Sequence, residues 1–231
     1  MIDREGVIEA LGTVYDPELD EPITSLRFVT SCDVSTDGDV DVRLRLPTPQ
    51  CAPNFAYLMA ADARNAVRRL PEVRDVTVVL EDHFTGDEIN TAVGRGEAFA
   101  QAFPGETEGE LDALRDLFQR KALVARQSRM CEALLARGAT PEEVAARQVA
   151  DLPDDPDARR CIELRGQLGI PAGDDSPAFV RPDGEPVAAA DLRLWLRKAR
   201  LMRTSLEVNG GICRSLLRIR YDLPDPEEVA A

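Results

Sequence analysis

Residues 40–55 read VDVRLRLPTPQCAPNF and contain the end of one structural element and the beginning of another. The apolar residues from Val40 to Leu46 alternate with charged ones, which predicts a strand with one buried face. From residue 54 to 70 apolar residues recur at helical spacing, and Pro71 ends that pattern. Cys51 therefore lies, between two prolines, at a strand-to-helix junction.

The same kinds of pattern extend in both directions from this junction. Residues 4–12 have helical spacing, Asp37-Gly38 predicts a hairpin turn, and residues 73–80 alternate as a third strand does. The first 84 residues thus predict an α+β domain of order helix, strand, strand, helix, strand, with a sheet of at least three strands.

The rest of the chain is mainly helical in character. Helical stretches are predicted at residues 108–136 and 157–168, at a capping box in Thr140–Glu143, and from Leu192 to about Glu207. We predict two regions: an α+β domain at residues 1–86, and a mainly helical extension at 87–231 suited to binding a partner.

The composition of the chain argues against several classes of function. The 231 residues carry a formal net charge of −14, which argues against binding to nucleic acids or anionic membranes. There is no apolar run long enough to span a membrane, and the first residues lack the pattern of a signal peptide, so we expect a cytoplasmic protein. The five cysteines are odd in number, widely spaced and without a CxxC pair, which favours reduced thiols and excludes a paired-cysteine zinc site.

A basic segment stands out in this acidic chain. Residues 191–220 contain eight arginines and lysines and only two acids. The favoured interpretation is a helix that pairs with acidic parts of the same chain, and the alternative is a surface for a partner.

Cys51 is the main candidate for chemistry. A sulfur at a helix start lies beside free backbone N–H groups and the positive end of the helix dipole, and both stabilise a thiolate. Thr48 could donate a hydrogen bond to the same place. A small buried space-filling residue is the equally supported alternative, so the residues alone leave the role of Cys51 open.

Two other features are candidates with simpler alternatives. Asp16 and Glu18 flank a proline and could bind a cation, although a solvated turn is favoured on sequence alone. His83, the only histidine, follows the third strand and could be a metal ligand, although such a residue more often serves packing. We interpret Cys32, Cys131 and Cys161 as core residues. The role of Cys213, which lies just after Gly210-Gly211, stays undecided.

Three segments together resemble the iron–sulfur cluster assembly domain family. They are the stretch from Val14 to Leu19 (VYDPEL), the stretch Thr48-Pro49-Gln50-Cys51, and the strand from Leu70 to Val78 (LPEVRDVTV). Members of this family include accessory proteins of Suf-type operons, cytosolic iron–sulfur targeting factors and the phenylacetyl-CoA hydroxylation accessory protein. The chain departs from the family where it has Cys51-Ala52-Pro53 in place of a direct Cys-Pro pair.

The resemblance implies a role in assembling or delivering iron–sulfur clusters or iron. It implies a shallow site formed by Asp16, Glu18, Thr48 and Cys51. Our own first hypothesis is that Cys51 holds a metal transiently and that His83 is a further ligand. The implied partners are a client metalloprotein or the assembly machinery, and a homodimer could bridge one metal between two copies. We therefore expect a maturation factor more than an enzyme.

Two alternatives remain at the sequence level. One is a thiol enzyme with Cys51 as nucleophile and His83 as base. The other is a structural accessory protein of a multicomponent di-iron monooxygenase, because the helical extension is similar to versions associated with such systems.

Overall fold

The computed structural model describes residues 2–105 and 108–224, which fall into two compact units. Of the described residues, those up to Ala113 and those from Asn209 to 224 form the first unit, and Leu114–Val208 form the second. The elements are α1 (Arg4–Leu11), β1 (Tyr15–Asp16), β2 (Glu21–Pro22), β3 (Val29–Val34), β4 (Asp39–Arg45), α2 (Pro53–Arg68), β5 (Asp75–Glu81), α3 (Gly86–Arg95), α4 (Phe99–Ala102), α5 (Glu108–Ala136), α6 (Pro141–Ala145), α7 (Pro156–Leu168) and α8 (Leu192–Tyr221), with short 3₁₀ turns at Val149–Asp151 and Ala189–Asp191.

The predicted α+β class with a helical C-terminal region is confirmed. The first unit contains a three-stranded sheet of order β3-β4-β5 and a two-stranded ribbon of β1 and β2. The predicted turn at Gly38 joins β3 and β4 as an antiparallel pair, and its φ of 86° is one that glycine adopts without strain. A Cβ there would lie 2.4 Å from the carbonyl oxygen of Glu72, so the position has no room for a side chain.

The sheet has one buried face. Along β4 and β5 every second residue is buried, and these side chains belong to the same hydrophobic core as the buried residues of α1 and α2. Polar residues on the other face pair across strands, as Arg43 does with Glu81. This is the arrangement that the alternation from Val40 to Leu46 predicts.

Strands β4 and β5 are parallel and in register from Asp39–Asp75 to Arg45–Glu81. Because parallel neighbours end at the same edge of a sheet, the segment after β4 and the segment after β5 must lie side by side. The first segment contains Cys51 and the second contains His83. The strand pairing thus positions the candidate site.

The second unit has its own hydrophobic core, formed by residues of α5, α6, α7, α8 and the segment around Phe179. The predicted capping box is present, since Thr140 and Glu143 cap α6 reciprocally. Arg165 is 1% exposed and donates hydrogen bonds to the carbonyl oxygens of Pro171, Pro177 and Ala178. No helix of the described residues is both long and apolar enough to cross a membrane.

The end predicted for the last helix is wrong. The sequence predicts that it ends at about Glu207, but α8 continues to Tyr221 and includes Gly210 and Gly211. From Asn209 onward its residues belong to the first unit. The predicted region boundary after residue 86 stays a prediction.

Candidate functional site

Cys51 lies immediately before the start of α2. Ala52 is the N-cap and Pro53 the first residue of the helix, and Ala52 offers no side chain to cap it. The Cys51 side chain is half-buried, and its Sγ is 3.5 Å from Thr48 Oγ1. The alanine that departs from the family pattern thus becomes the N-cap, and Cys51 is the residue immediately before it.

His83 lies beside Cys51 but faces its backbone. Nδ1 accepts a hydrogen bond from the backbone N–H of Thr85 at 3.3 Å, so the proton of a neutral ring is on Nε2. Nε2 then donates to the carbonyl oxygen of Cys51 at 2.8 Å. A second hydrogen bond joins the same two segments, since the N–H of Phe84 donates to the carbonyl oxygen of Pro49 at 3.0 Å. His83 therefore fixes the position of the cysteine segment.

The acidic turn is held together by Asp16. Its Oδ1 accepts hydrogen bonds from the N–H groups of Glu18 and Leu19 at 2.8 and 2.9 Å. Asp16 is 8% exposed, and burial raises its pKa to about 6, although these two bonds act in the opposite direction. The charges of Glu18 and Glu21 raise the pKa further. Sequence reasoning favoured a solvated turn here, whereas the first carboxylate is buried.

The last turns of α8 contact the same region of the first unit. Asn209 donates a hydrogen bond to Glu18 at 3.3 Å, and Arg214 forms an ion pair with Glu21 at 2.6 Å. Arg220 and the hydroxyl group of Tyr221 both bind Asp82 at 2.8 Å, next to His83. These contacts agree with the favoured interpretation of the basic segment, as do the ion pairs of Arg200 and Arg203 with Glu132 in the second unit.

Cys213 is brought to this site by α8. It is half-buried, and burial raises its pKa to about 11, with further contributions from the charges of Asp16, Cys51 and Glu18. The sequence left Cys213 undecided. The only signal of its position was the Gly210-Gly211 pair, and a Cβ on Gly210 would indeed lie 2.9 Å from the Glu21 carboxylate.

Thr48 contacts Cys51, and the charges of Asp16, Glu18 and Cys51 act on Cys213, so these residues lie in one region of the first unit. The groups present are two thiols, two carboxylates and a hydroxyl, and thiolates are the ligands that iron–sulfur clusters and other soft metal centres prefer. Across residues 2–105 and 108–224, no three side chains of His, Cys, Asp and Glu are grouped as a metal site.

Comparisons with known proteins agree on one family. A family model described as "Iron-sulfur cluster assembly protein" matches residues 4–80. An uncharacterized protein of Methanocaldococcus jannaschii is 33% identical over 90 residues, which cover 39% of this chain and 93% of that protein. An Fe-S protein maturation auxiliary factor of Bacillus subtilis is 30% identical over 89 residues, which cover 38% of this chain and 85% of that protein.

A third relative is a larger protein. An iron-sulfur cluster carrier protein of Deinococcus radiodurans is 36% identical over 76 residues, which cover 32% of this chain but only 21% of that protein. All of these matches cover less than half of this chain, and the family match ends at residue 80. The expected association with a di-iron monooxygenase stays a prediction.

Proposed function

The chain belongs to the iron–sulfur cluster assembly protein family, and from this premise we propose that it acts in the maturation of iron–sulfur proteins, with the thiolate of Cys51 as a transient ligand of iron or a cluster. The cargo passes to a client metalloprotein or comes from the assembly machinery. In this role the protein is a carrier and not an enzyme.

The observation that carries this proposal is the position of Cys51. A half-buried sulfur just before a helix start, in contact with the Thr48 hydroxyl, is accessible to an incoming metal. A ligand set with few protein thiolates releases its metal readily, because the other coordination positions are held by exchangeable groups. Such release is what transfer to a client requires.

The other residues of the site have supporting roles in this proposal. His83 holds the cysteine segment through the carbonyl oxygen of Cys51, and Asp16 holds the neighbouring acidic turn through Oδ1. For His83 to act as a ligand, one of its ring nitrogens would have to give up its present hydrogen bond. The thiol-enzyme alternative has less support, because the imidazole nitrogens face backbone groups and the Thr85 hydroxyl.

Anaerobic reconstitution with ferrous iron and sulfide tests the proposal. The wild-type protein should retain iron and sulfide after desalting and should activate an apo-ferredoxin acceptor, whereas Cys51→Ala should lose both properties. Cys131→Ala is the matched control, because Cys131 is fully buried in the second unit. Equal retention and equal transfer by wild type and a folded Cys51→Ala protein would show the proposal to be wrong.

A further inference from the structure

Within the second unit, helix α8 carries apolar residues on two of its faces. Its inner face supplies Leu196 and Ala199 to the hydrophobic core of that unit. Its outer face exposes Leu194 by 49%, Leu201 by 74% and Val208 by 53%. A helix packs in its own domain through one apolar face, so the outer apolar residues are available to another molecule.

The three outer apolar residues recur at every seventh position of the helix. This spacing places them in a row along one face, about 10 Å apart. The exposed residues between them on that face are Arg197, Lys198, Thr204 and Ser205, and none of these is acidic. A narrow row with this repeat is the pattern through which one helix packs along a second helix, side chains of each inserting between those of the other.

The charge at the start of α8 is not neutralised by the chain itself. Arg193, Arg197 and Lys198 have no side-chain partner among residues 2–105 and 108–224, whereas two arginines further along the helix pair with Glu132. Arg193 also lies in the first turn, where the positive end of the helix dipole disfavours a cation. These basic side chains beside the apolar row favour a partner that is acidic.

We propose that the outer face of α8 in the second unit is a docking surface for an acidic amphipathic helix of a partner protein. Apolar side chains of that helix pack between Leu194, Leu201 and Val208, and its carboxylates pair with Arg197 and Lys198. A second copy of the chain would bring the same basic face against this one, and the net charge of −14 disfavours an anionic membrane. The proposal does not depend on the role of Cys51.

Fluorescence anisotropy with a labelled model peptide tests this surface on the full chain. The probe is a heptad peptide with Leu at its core positions and Glu at the flanking positions, and the control probe has Lys in place of each Glu. The protein should bind the Glu peptide, and it should bind the Lys peptide at least about tenfold more weakly. Failure to bind the Glu peptide, or equal binding of both peptides, would overturn the proposal.

Variants of exposed residues locate the binding. Leu201→Asp, and Arg197→Glu combined with Lys198→Glu, should each weaken binding of the Glu peptide at least about tenfold. Ile162→Asp is the matched control, because Ile162 is 40% exposed on α7 of the same unit, and it should bind as wild type does. Circular dichroism checks that each variant is folded. Unchanged binding by folded Leu201→Asp would refute the proposed surface.

Two other occupants of the face are outcomes of the same experiments. If the Glu peptide does not bind but vesicles of phosphatidylserine and phosphatidylcholine do, the face is a membrane contact and the proposal is wrong. If the peptide does not bind and Leu201→Asp converts a wild-type dimer into a monomer, a second copy covers the face. Cys51→Ala should bind the Glu peptide as wild type does, so the result is separate from that of the proposed function.

A further measurement needs no variant. The affinity of wild type for the Glu peptide should fall as the salt concentration rises, because exposed charges are screened. An affinity that does not change with salt would contradict the pairing of carboxylates with Arg197 and Lys198.

Discussion

Asp16 is the residue whose burial and hydrogen bonds bear most directly on its pKa. Its carboxylate holds the acidic turn through two backbone N–H groups while being more than nine-tenths buried. Burial outweighs these bonds and raises the pKa of Asp16 from 3.8 to about 6. The native protein therefore keeps a proton on Asp16 in a pH range where the unfolded chain has released it.

This pKa predicts a pH-dependent loss of stability. Between pH 4 and 6 the folded state binds more protons at Asp16 than the unfolded state, so the free energy of unfolding falls as pH rises. The contribution of Asp16 is complete below pH 3.8 and lost above about pH 6, and the shift corresponds to about 3 kcal/mol at most. In Asp16→Asn the amide oxygen can accept the same two hydrogen bonds, but the side chain does not titrate. This substitution should therefore remove the pH-dependent contribution of Asp16.

Urea unfolding of the metal-free protein at several pH values measures this effect. Asp16→Asn should be more stable than wild type at pH 7, with the difference shrinking toward pH 4, while contributions of other carboxylates cancel in the comparison. A difference that is constant with pH would contradict the raised pKa of Asp16.

Sequence reasoning at the residue scale located the acidic turn and the cysteine junction but misjudged the environment of Asp16. The Asp-Pro-Glu turn and the strand-to-helix junction are local patterns, so they could be located in the sequence. The charge of Asp16 acts on Cys213, which lies on a helix far along the chain. No pattern within one window of sequence carries that information.

At the scale of elements, most helices and strands were predictable because their periodicity is local. The hairpin β3–β4, helix α2 and strand β5 occur where alternation, helical spacing and prolines place them. Helix α8 is longer than predicted, although it contains two consecutive glycines, which disfavour a helix at about 1 kcal/mol each relative to alanine. Tertiary contacts of Arg214 and Leu217 compensate for this cost.

The two glycines of α8 should respond differently to alanine. A Cβ on Gly211 has nothing within 4 Å, so Gly211→Ala should stabilise the protein by about 0.5–1 kcal/mol. A Cβ on Gly210 would lie 2.9 Å from the Glu21 carboxylate, which would have to move and disturb its ion pair with Arg214. Gly210→Ala should therefore gain less stability or none.

Thermal and urea unfolding of the two single variants test this pair. Equal stabilisation by Gly210→Ala and Gly211→Ala would mean that α8 does not approach Glu21 as closely as described. A loss of stability in Gly211→Ala would mean that the helix does not continue through this position.

At the scale of the whole molecule, the chain leaves the first unit and returns to it. Residues 114–208 form the second unit, and side chains between Asn209 and 224 pack in the core of the first unit. Periodicity and breakers predict elements, and the resemblance covers only the N-terminal part, so neither source could indicate this return. The candidate site reflects the same fact, because Cys51 comes from the N-terminal part of the chain and Cys213 comes from the last helix.

This return predicts that a residue of the last helix stabilises the N-terminal sheet. Leu217 is 2% exposed and belongs to the same core as Val42 and Val78, so Leu217→Ala should cost about 2–5 kcal/mol. Leu216→Ala, next to it but 42% exposed, is the matched control and should cost much less. Hydrogen exchange shows which elements depend on Leu217. Leu217→Ala should speed exchange of the amides of β4 and β5 as well as those of α8. If only the α8 amides exchange faster, the last turns of α8 unfold locally, and the sheet is stable without them.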